Sequence, residues 1–298
     1  MLQPNKLEWR HNGQLHRDDD LPAIEHFNGK KEWYQHGQLH RDKDKPAIVE
    51  HPPYGTKKWY VNGQLHRDND LPAIERINGD KEWYKHGQRH RDNDLPAVEY
   101  LCGSKEWYCN GYLHRDNDLP AIMCAVGDRA WYKNGQIHRD NDLPAIFDIF
   151  GTKKWYCNNK IHRDNDLPAI EYRNGRKEWY QHGKLHRDGD LPALCWGKHK
   201  MWYKNGQNYR DGDMPSVICH DGTQIWRTNG EEIRMNEGPA VLYINGDRGM
   251  TWESPKISKS EWDSRTERSD KEKEIMLALN NVIRLPLHII DKIVQITI

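Results

Sequence analysis

Residues 31–47 read KEWYQHGQLHRDKDKPA, and this stretch decides the fold because it returns along most of the chain. Most copies have a Trp-Tyr pair, a glycine turn, His-Arg-Asp, and a proline followed by a small residue. The copies follow one another at a spacing of 24 residues with small departures. A fixed period of this length indicates a repeat architecture in which each copy is one structural unit. We number the units 1 to 11 by their tryptophans, which are Trp9, Trp33, Trp59, Trp83, Trp107, Trp131, Trp155, Trp179, Trp202, Trp226 and Trp252.

The composition predicts a thin sheet rather than a thick core. Only 36% of the 298 residues are apolar, which is below the usual share for a globular domain. The large apolar residues are chiefly 13 Trp and 14 Tyr, against 3 Phe. Trp and Tyr are favourable at partly solvent-exposed positions, because the ring can pack against apolar groups while its N–H or O–H still hydrogen-bonds to water.

Charge and hydropathy indicate which partners the protein is expected to bind and in which cellular compartment it is expected to lie. The 45 basic residues are balanced by 45 acidic residues, so the sequence lacks the basic excess expected for a nucleic-acid or anionic-membrane partner. No apolar run approaches the roughly 20 residues of a membrane span, and residues 1–20 are too polar for a signal peptide. We therefore expect an intracellular protein that is not secreted, with its six irregularly spaced cysteines as free thiols.

Most units contain two glycine turns, one after the Trp-Tyr pair and one before the next tryptophan. Where the glycine follows asparagine, the pair predicts a type I′ turn, since both central residues of that turn need positive φ. The segment around the tryptophan is rich in aromatic residues and predicts one strand. The longer segment carries a polar RDND and a proline, which favour a bulge or corner between two strand-forming arms. The predicted type I′ turns are Asn12-Gly13, Asn28-Gly29, Asn62-Gly63, Asn78-Gly79 and Asn245-Gly246.

Two all-β architectures fit a unit of this length. In a coiled β-solenoid, equivalent residues stack about 4.8 Å apart, whereas in a hairpin array with two strands per unit they lie about 9 to 10 Å apart. Every unit repeats the same charges, as in Arg67 and Asp68 followed by Arg91 and Asp92. Like charges directly opposite one another destabilise a sheet. We therefore predict an all-β repeat fold, an elongated and twisted antiparallel β-hairpin array of about eleven units with two strands each.

The repeat pattern divides the chain into three parts. Residues 6–252 form the predicted array, and the decay of the pattern over 194–252 predicts atypical closing units. An insertion at Pro52-Pro53 is expected to widen one turn without breaking the sheet. Residues 253–268 are polar and predict a linker. Residues 269–298 predict a two-helix tail, since SDKE at 269–272 is a capping box and Pro286 suits the start of a second helix.

The unit resembles the MORN (membrane occupation and recognition nexus) repeat, a β-hairpin with a YxG or WYxNG centre. The WYxNG centre followed by histidine is similar to that repeat, whereas HRDNDLPA replaces its glycine-rich end, so the version here is divergent. The resemblance covers residues 6–252 and implies a scaffold or spacer. A membrane role is attributed to some MORN proteins, but the balanced charge gives it little support here. Tandem HRxDxPA units also look similar to those of proteins encoded by large DNA viruses.

His-Arg-Asp recurs in eight units and also heads the catalytic loop of protein kinases. A kinase needs one such loop together with a glycine-rich loop, a strand lysine and DFG, which this sequence lacks. One zinc ion needs ligand atoms within about 2.1 Å, whereas histidines of successive units are expected roughly 9 to 10 Å apart. The structural alternative is that His packs beside Trp or bonds a turn carbonyl, while Arg and Asp pair across strands. We predict no enzyme, no cofactor and no metal site.

The aromatic columns form a candidate interaction surface. Strand alternation places adjacent Trp and Tyr on opposite faces, so each face carries one column and at least one column is expected to be wet. Hairpin repeats of choline- and glycan-binding modules look similar, although those modules are normally secreted. The alternative is that the indoles pack against Pro, Ala and Ile and supply the only core. The candidate residues are Trp33, Tyr34, Trp59, Tyr60, Trp83, Tyr84, Trp107, Tyr108, Trp131, Tyr132, Trp155, Tyr156, Trp179 and Tyr180.

The aliphatic tail is a second candidate site. Its sequence LPLHIIDKI looks like the opening helix of an F-box, which docks adaptors onto ubiquitin-ligase scaffolds, although the match covers few residues. The alternative is that the two helices fold back over the last strand and protect its edge. The candidate docking residues are Leu285, Pro286, Leu287, Ile289, Ile290 and Ile293.

Together these features predict a non-enzymatic repeat scaffold that presents an extended β surface to protein partners. Two alternatives are a structural component of a large DNA virus particle, either minor capsid or internal, and an F-box-like substrate adaptor for ubiquitin ligase. The partners would then be virion proteins or the ligase scaffold, in the host cytoplasm or in the virion. Nucleic acid is not an expected partner.

Overall fold

The computed structural model describes residues 5–52, 55–227, 240–245 and 248–251, and this part of the chain is all-β. It contains no helix, and hence none that is long and apolar enough to cross a membrane. The predicted linker at 253–268 and the two-helix tail at 269–298 lie outside the described residues, together with the tail's docking residues and parts of the closing units.

A long antiparallel sheet of 21 short strands runs through the described units. Each inner strand pairs with the strand before it and the strand after it in this sheet, so the order is a simple meander. In unit 2, for example, Glu32 lies opposite Ile24 on one side and Ile48 on the other. The strands are Lys6–Glu8, Ile24–His26, Lys31–Glu32, Ile48–Val49, Lys57–Lys58, Ile74–Glu75, Lys81–Glu82, Val98–Glu99, Lys105–Glu106, Ile122–Met123, Arg129–Ala130, Ile146–Phe147, Lys153–Lys154, Ile170–Glu171, Lys177–Glu178, Leu194–Trp196, His199–Met201, Val217–Ile218, Gln224–Ile225, Val241–Asn245 and Arg248–Thr251.

A row of nine two-stranded hairpins accompanies the long sheet in the described residues, one in each of units 1 to 9. In unit 2, Tyr34 pairs with Leu39 and Gln35 with Gln38. The strand pairs are Arg10–His11 with Gln14–Leu15, Tyr34–Gln35 with Gln38–Leu39, Tyr60–Val61 with Gln64–Leu65, Tyr84–Lys85 with Gln88–Arg89, Tyr108–Cys109 with Tyr112–Leu113, Tyr132–Lys133 with Gln136–Ile137, Tyr156–Cys157 with Lys160–Ile161, Tyr180–Gln181 with Lys184–Leu185, and Tyr203–Lys204 with Gln207–Asn208.

The tryptophan is the junction between the long sheet and the hairpin row. The Trp33 N–H donates to the Ala47 carbonyl at 2.8 Å, and the Trp33 carbonyl accepts from the His40 N–H at 3.1 Å. The returning arm therefore pairs twice with the same outgoing arm, and residues 40–46 leave the ladder between the two pairings. We call this excursion the HRD loop. The predicted bulge is confirmed, but each of units 1 to 9 has four short strands rather than two, because the outgoing strand is interrupted at the tryptophan and the returning strand is interrupted by the HRD loop.

The hairpin tips have the predicted type I′ geometry. Asn12 and Asn62 both have a φ of 48°, and the glycine that follows each has a φ of 78°. Only two residues connect the paired strands at these tips, as the pairing of Val61 with Gln64 shows. A two-residue connection of this kind requires positive φ at both positions, which Asn and Gly tolerate.

The turns of the long sheet differ from the prediction at Asn28-Gly29 and Asn78-Gly79. Only the glycine has positive φ there, 87° at Gly29 and 91° at Gly79. The Gly29 N–H donates to the His26 carbonyl at 2.9 Å, which closes a longer connection than a two-residue turn. The Asn28 side chain instead accepts from the backbone N–H of Lys30 at 3.1 Å, so asparagine serves the turn through its side chain. The turn predicted at Asn245-Gly246 extends outside the described residues.

The core lies between the long sheet and the hairpin row. One buried cluster joins Ala97 and Val98 of the long-sheet arm to Tyr108 of a hairpin, with Tyr100 and Leu113 packed against them. In units 1 to 8 the alanine after the proline is fully buried, which explains why a small residue recurs at this position. These alanines are Ala23, Ala47, Ala73, Ala97, Ala121, Ala145, Ala169 and Ala193.

The irregular units keep the sheet continuous. Val49 still pairs with Lys57 across the insertion in unit 3, as predicted. Trp196 pairs with His199 across a connection of two residues, so the turn is shortened there as the sequence indicates. Ser216 replaces the alanine of unit 9 and is equally buried, and its hydroxyl donates to the Asn208 side chain at 3.0 Å.

Candidate functional site

The arginine of each HRD loop stacks on the tryptophan of its own unit. The Arg67 guanidinium carbon lies 3.8 Å from the centre of the Trp59 ring, and Nη1 donates to the Pro72 carbonyl at 3.2 Å. A guanidinium at this distance is attracted by the face of the indole. The stack therefore folds the loop over the ring, and the same contact at 3.7 to 4.0 Å joins Arg17–Trp9, Arg41–Trp33, Arg67–Trp59, Arg91–Trp83, Arg115–Trp107, Arg139–Trp131, Arg163–Trp155, Arg187–Trp179 and Arg210–Trp202.

The same arginine and tryptophan bind the preceding unit. Arg67 donates from Nε and Nη2 to the two carboxylate oxygens of Asp44, at 2.7 and 2.9 Å. Trp59 Nε1 donates to the backbone carbonyl of the same aspartate at 3.0 Å. We call such an Asp, Trp and Arg together an inter-unit clamp. The prediction that Arg and Asp pair across strands is therefore corrected, because the pair joins successive loops. The eight clamps are Asp20–Trp33–Arg41, Asp44–Trp59–Arg67, Asp70–Trp83–Arg91, Asp94–Trp107–Arg115, Asp118–Trp131–Arg139, Asp142–Trp155–Arg163, Asp166–Trp179–Arg187 and Asp190–Trp202–Arg210.

The backbone of the HRD loop explains its DND and DGD letters. The clamp aspartate and the residue before it both have left-handed φ, 51° at Asp44 and 59° at Lys43. Asn, Asp and Gly adopt this region at little cost, whereas other residues are strained there. The preceding residue is Asp, Asn or Gly in the other clamped loops, so Lys43 is an exception to the pattern.

The clamps also explain how the same charges can repeat in every unit without like charges lying opposite one another. In units 2 to 9, the arginine of the HRD loop faces an aspartate of the preceding unit rather than another arginine. The hydrogen bonds from Arg67 lower the pKa of the Asp44 carboxyl below its usual value, which favours the ionised form. The pKa is lowered in the same way for Asp70, Asp94, Asp118, Asp142, Asp166 and Asp190.

The histidine of the HRD loop forms a second link between units. His40 Nδ1 accepts from the backbone N–H of Asn62, in the next hairpin tip, at 3.1 Å. His40 Nε2 lies 3.1 Å from Asp42 Oδ1. An accepting Nδ1 places the proton of the neutral ring on Nε2, so Nε2 donates to the carboxylate. The predicted contact with a turn carbonyl is thus a contact with a turn amide, and it accompanies a backbone bond from Gly63 N–H to Leu39 carbonyl at 2.8 Å.

Glutamates and tyrosines that flank the tryptophans in sequence form a second set of repeated contacts. Glu106 is buried and accepts from the hydroxyls of Tyr100 and Tyr108, both at 3.0 Å. Ala130 takes the place of this glutamate in unit 6, and the buried Tyr132 hydroxyl has no hydrogen-bond partner there. Burial raises the pKa of Tyr108 and Tyr132 well above the ordinary tyrosine value, so both remain neutral.

The aromatic residues predicted to form an interaction surface lie largely inside the array. The seven candidate tryptophans are only 5 to 8% exposed, because the HRD loops cover them. Tyr108 and Tyr132 are buried, and the other five candidate tyrosines are half-buried. The indoles therefore belong to the core, as the alternative stated, whereas five of the seven tyrosines keep part of their surface exposed.

The HRD loops contact one another along the array and leave a groove between successive units. A groove of about 400 Å³ lies between the loops of units 7 and 8 and is lined by Arg163, Trp179 and Arg187, which are clamp residues. Among the described residues, no three His, Cys, Asp or Glu side chains are placed to hold one metal ion.

Two exposed apolar stripes were missed by the sequence reasoning. The turn stripe lies on the long-sheet turns, with side chains 48 to 75% exposed, and consists of Phe27, Ile77, Leu101, Val126, Ile149, Phe150 and Trp196. The loop stripe precedes the prolines and consists of Leu21, Leu71, Leu95, Leu119, Leu143, Leu167, Leu191 and Met214. The recurring leucine of DLPA was the available signal for the loop stripe. No comparable signal exists for the turn stripe, since its residue types vary.

The hairpin units and their clamps define a tandem β-hairpin repeat protein, consistent with a MORN-like repeat. No protein-family model matches the sequence, and no curated protein matches it either.

Proposed function

We propose that this chain is a non-enzymatic scaffold that presents a long β surface to protein partners. One observation carries the proposal: the His, Arg and Asp side chains of the repeated loops contact neighbouring units. The groups that would otherwise be candidates for acid-base chemistry thus stabilise the array. A structure that repeats one interface eight times suits the spacing of binding positions along a line.

The turn stripe is the surface that supports this role best. Leu101 and Phe150 are 75 and 71% exposed, although each lies beside a packed sheet. Successive turns lie close together, since the Leu101 side chain would lie 3.1 Å from a β-carbon at Gly79. A row of exposed apolar side chains on a soluble protein marks an interaction site. The partner is a protein with apolar side chains that can follow the row.

The experiment compares two sets of lysine substitutions in tagged full-length protein. The first set is Phe27→Lys, Leu101→Lys and Phe150→Lys on the turn stripe. The matched control on the loop stripe is Leu71→Lys, Leu119→Lys and Leu167→Lys. All six side chains are exposed, so changes in the free energy of unfolding should stay within about 0.5 kcal/mol. Partners recovered by cross-linking and mass spectrometry should be lost with the first set and retained with the second. Equal recovery with both sets would rule out the turn stripe as the binding surface.

Two narrower functions rest on sequence resemblance. A role inside a virus particle predicts that the protein co-purifies with particles, and a free monomer with no partner in particles would contradict it. A role as a ubiquitin-ligase adaptor rests on the tail, and deleting residues 285–298 should then abolish association with the ligase scaffold. Intracellular location is part of both proposals.

A further inference from the structure

Unit 1 carries half of an inter-unit clamp. The Arg17 guanidinium lies 3.7 Å over the Trp9 ring, and its Nη1 donates to the Pro22 carbonyl at 3.2 Å and to Glu25 Oε1 at 3.1 Å. In units 2 to 9, Nε and Nη2 of the arginine donate to an aspartate of the preceding unit. In unit 1, Nε and Nη2 of Arg17 contact no carboxylate among the described residues. The Arg17 side chain is accordingly 24% exposed, against 10 to 16% for the eight clamped arginines.

The backbone of unit 1 offers further donors on the same side. In unit 2, the tip amides of His36 and Gly37 donate to His16 Nδ1 and to the Leu15 carbonyl of the preceding unit. The corresponding amides of unit 1, at Asn12 and Gly13, have no such partner in the part of the chain that the structure describes. The strand Lys6–Glu8 pairs only with Ile24–His26, so its other edge is also open there.

These donors must face one direction, because every equivalent in units 2 to 9 contacts the preceding unit. The eight internal junctions show what the face of unit 1 is shaped to receive. It is an aspartate in left-handed conformation whose carboxylate meets the guanidinium and whose carbonyl meets the indole N–H. The aspartate is followed by a leucine, a proline, an alanine and a two-residue strand, as Asp70 is followed by the strand Ile74–Glu75.

We propose that this face of unit 1 binds the returning arm of an HRD-type repeat from another protein molecule. The proposal deepens the scaffold function by naming a class of partner, and it uses a face that does not include the turn stripe. A carboxylate suits the site because Arg offers two parallel N–H donors that match its two oxygens. The extended segment adds a strand beside Lys6–Glu8, which supplies main-chain hydrogen bonds. The occupant we infer is a second copy of this chain, because its own returning arms carry this sequence.

The probe is a fluorescent peptide with the sequence of residues 67–77, RDNDLPAIERI, acetylated and amidated at its ends. Fluorescence anisotropy would measure its binding to the full-length protein at two salt concentrations. We expect saturable binding that weakens with salt, because the central contact is an ion pair. An Asp70→Asn peptide should bind about tenfold more weakly, since it loses the charge of a bidentate pair.

Protein variants test the other half of the contact. Arg17→Gln should weaken binding of the peptide about tenfold, and Trp9→Phe, which keeps a ring but removes the indole N–H, should weaken it several-fold. Arg129→Gln is the matched control, because Arg129 is an exposed arginine in the long sheet. Circular dichroism would establish that each variant is folded.

Three results would overturn the proposal: no binding of the peptide up to its solubility limit, equal binding by Arg17→Gln, or equal binding of the Asp70→Asn peptide. Self-association of the protein that Arg17→Gln removes would support it and identify a second copy as the partner. Failure here would leave the turn stripe untouched, since different variants and a different readout test that surface.

Discussion

Replacing Arg115 with methionine is expected to weaken the array at the junction of units 4 and 5. Methionine keeps an apolar stem and removes the guanidinium. In the structure that guanidinium donates to both carboxylate oxygens of Asp94 at 2.8 Å, donates to the Pro120 carbonyl at 3.4 Å, and lies 3.8 Å over the Trp107 ring. All three contacts are lost together.

The size of the effect follows from the exposure of each contact. A bidentate charge-assisted pair contributes about 1.5 to 3 kcal/mol when buried. The Asp94 side chain is 47% exposed, so water can replace the arginine and we reduce this contribution to about 1 kcal/mol. The stack on Trp107 adds about 1 kcal/mol, and the carbonyl contact adds about 0.5 kcal/mol. We therefore expect the junction to lose about 2 to 3 kcal/mol.

Urea unfolding followed by circular dichroism and tryptophan fluorescence would measure this loss. The curves need a nearest-neighbour repeat analysis, because long arrays need not unfold in one step. Arg129→Met is the control, since it removes an arginine outside the clamps. Asp94→Asn combined with Arg115→Met in a double-mutant cycle should give a coupling energy of about 1 kcal/mol. If Arg115→Met and Arg129→Met differ by less than about 0.5 kcal/mol, the clamp does not join the units as argued.

Three further predictions concern strain, acid and a buried hydroxyl. Lys43→Asn should raise the free energy of unfolding by about 0.5 to 1 kcal/mol, because asparagine tolerates the left-handed φ; a loss of stability in urea would contradict this. The pKa of Asp94 is lowered in the folded protein, so its stabilising effect is present above the unfolded value near 3.9 and is lost as the pH falls. The thermal midpoint should therefore drop below about pH 4, less steeply in Arg115→Met, and equal slopes would refute the assignment. Tyr132→Phe should be neutral or stabilising, whereas Tyr108→Phe, which removes a donor to Glu106, should cost about 1 kcal/mol; equal urea midpoints would contradict the difference.

Much of the fold could be predicted from the sequence because the repeat is regular. The alternation of glycine turns and aromatic segments predicted a hairpin array, and the polar HRD segment predicted the bulge. The strand count was wrong because Trp33 uses its N–H and its carbonyl for two different partners. The sequence pattern alone does not show such a change of partner, because Trp is a favourable strand residue whichever residue its backbone pairs with.

The candidate site was harder to predict than the fold. The period alone could not show whether Arg67 meets an aspartate of its own unit or of the neighbouring one, because both choices repeat identically. In the structure Arg67 pairs with Asp44 of the preceding unit. The HRD loop then lies over Trp59, which is buried although the sequence pattern predicted it as part of an interaction surface. The exposed turn stripe, which includes Ile77, Leu101 and Ile149, was not predicted because its residue types vary from turn to turn.

The pattern of departures among the units separates the clamp from its surroundings. Within units 2 to 9 every clamp retains Asp, Trp and Arg, whereas neighbouring positions change: Lys43 takes a strained position, Ala130 replaces glutamate and Tyr209 replaces histidine. The backbone contact at that histidine position persists, since the Tyr209 N–H still donates to the Trp202 carbonyl at 3.2 Å. The histidine link can therefore be lost without loss of the fold of its unit. The clamp has its donors on one unit and its acceptors on the other, so every junction has the same direction, and unit 1 presents the donor side.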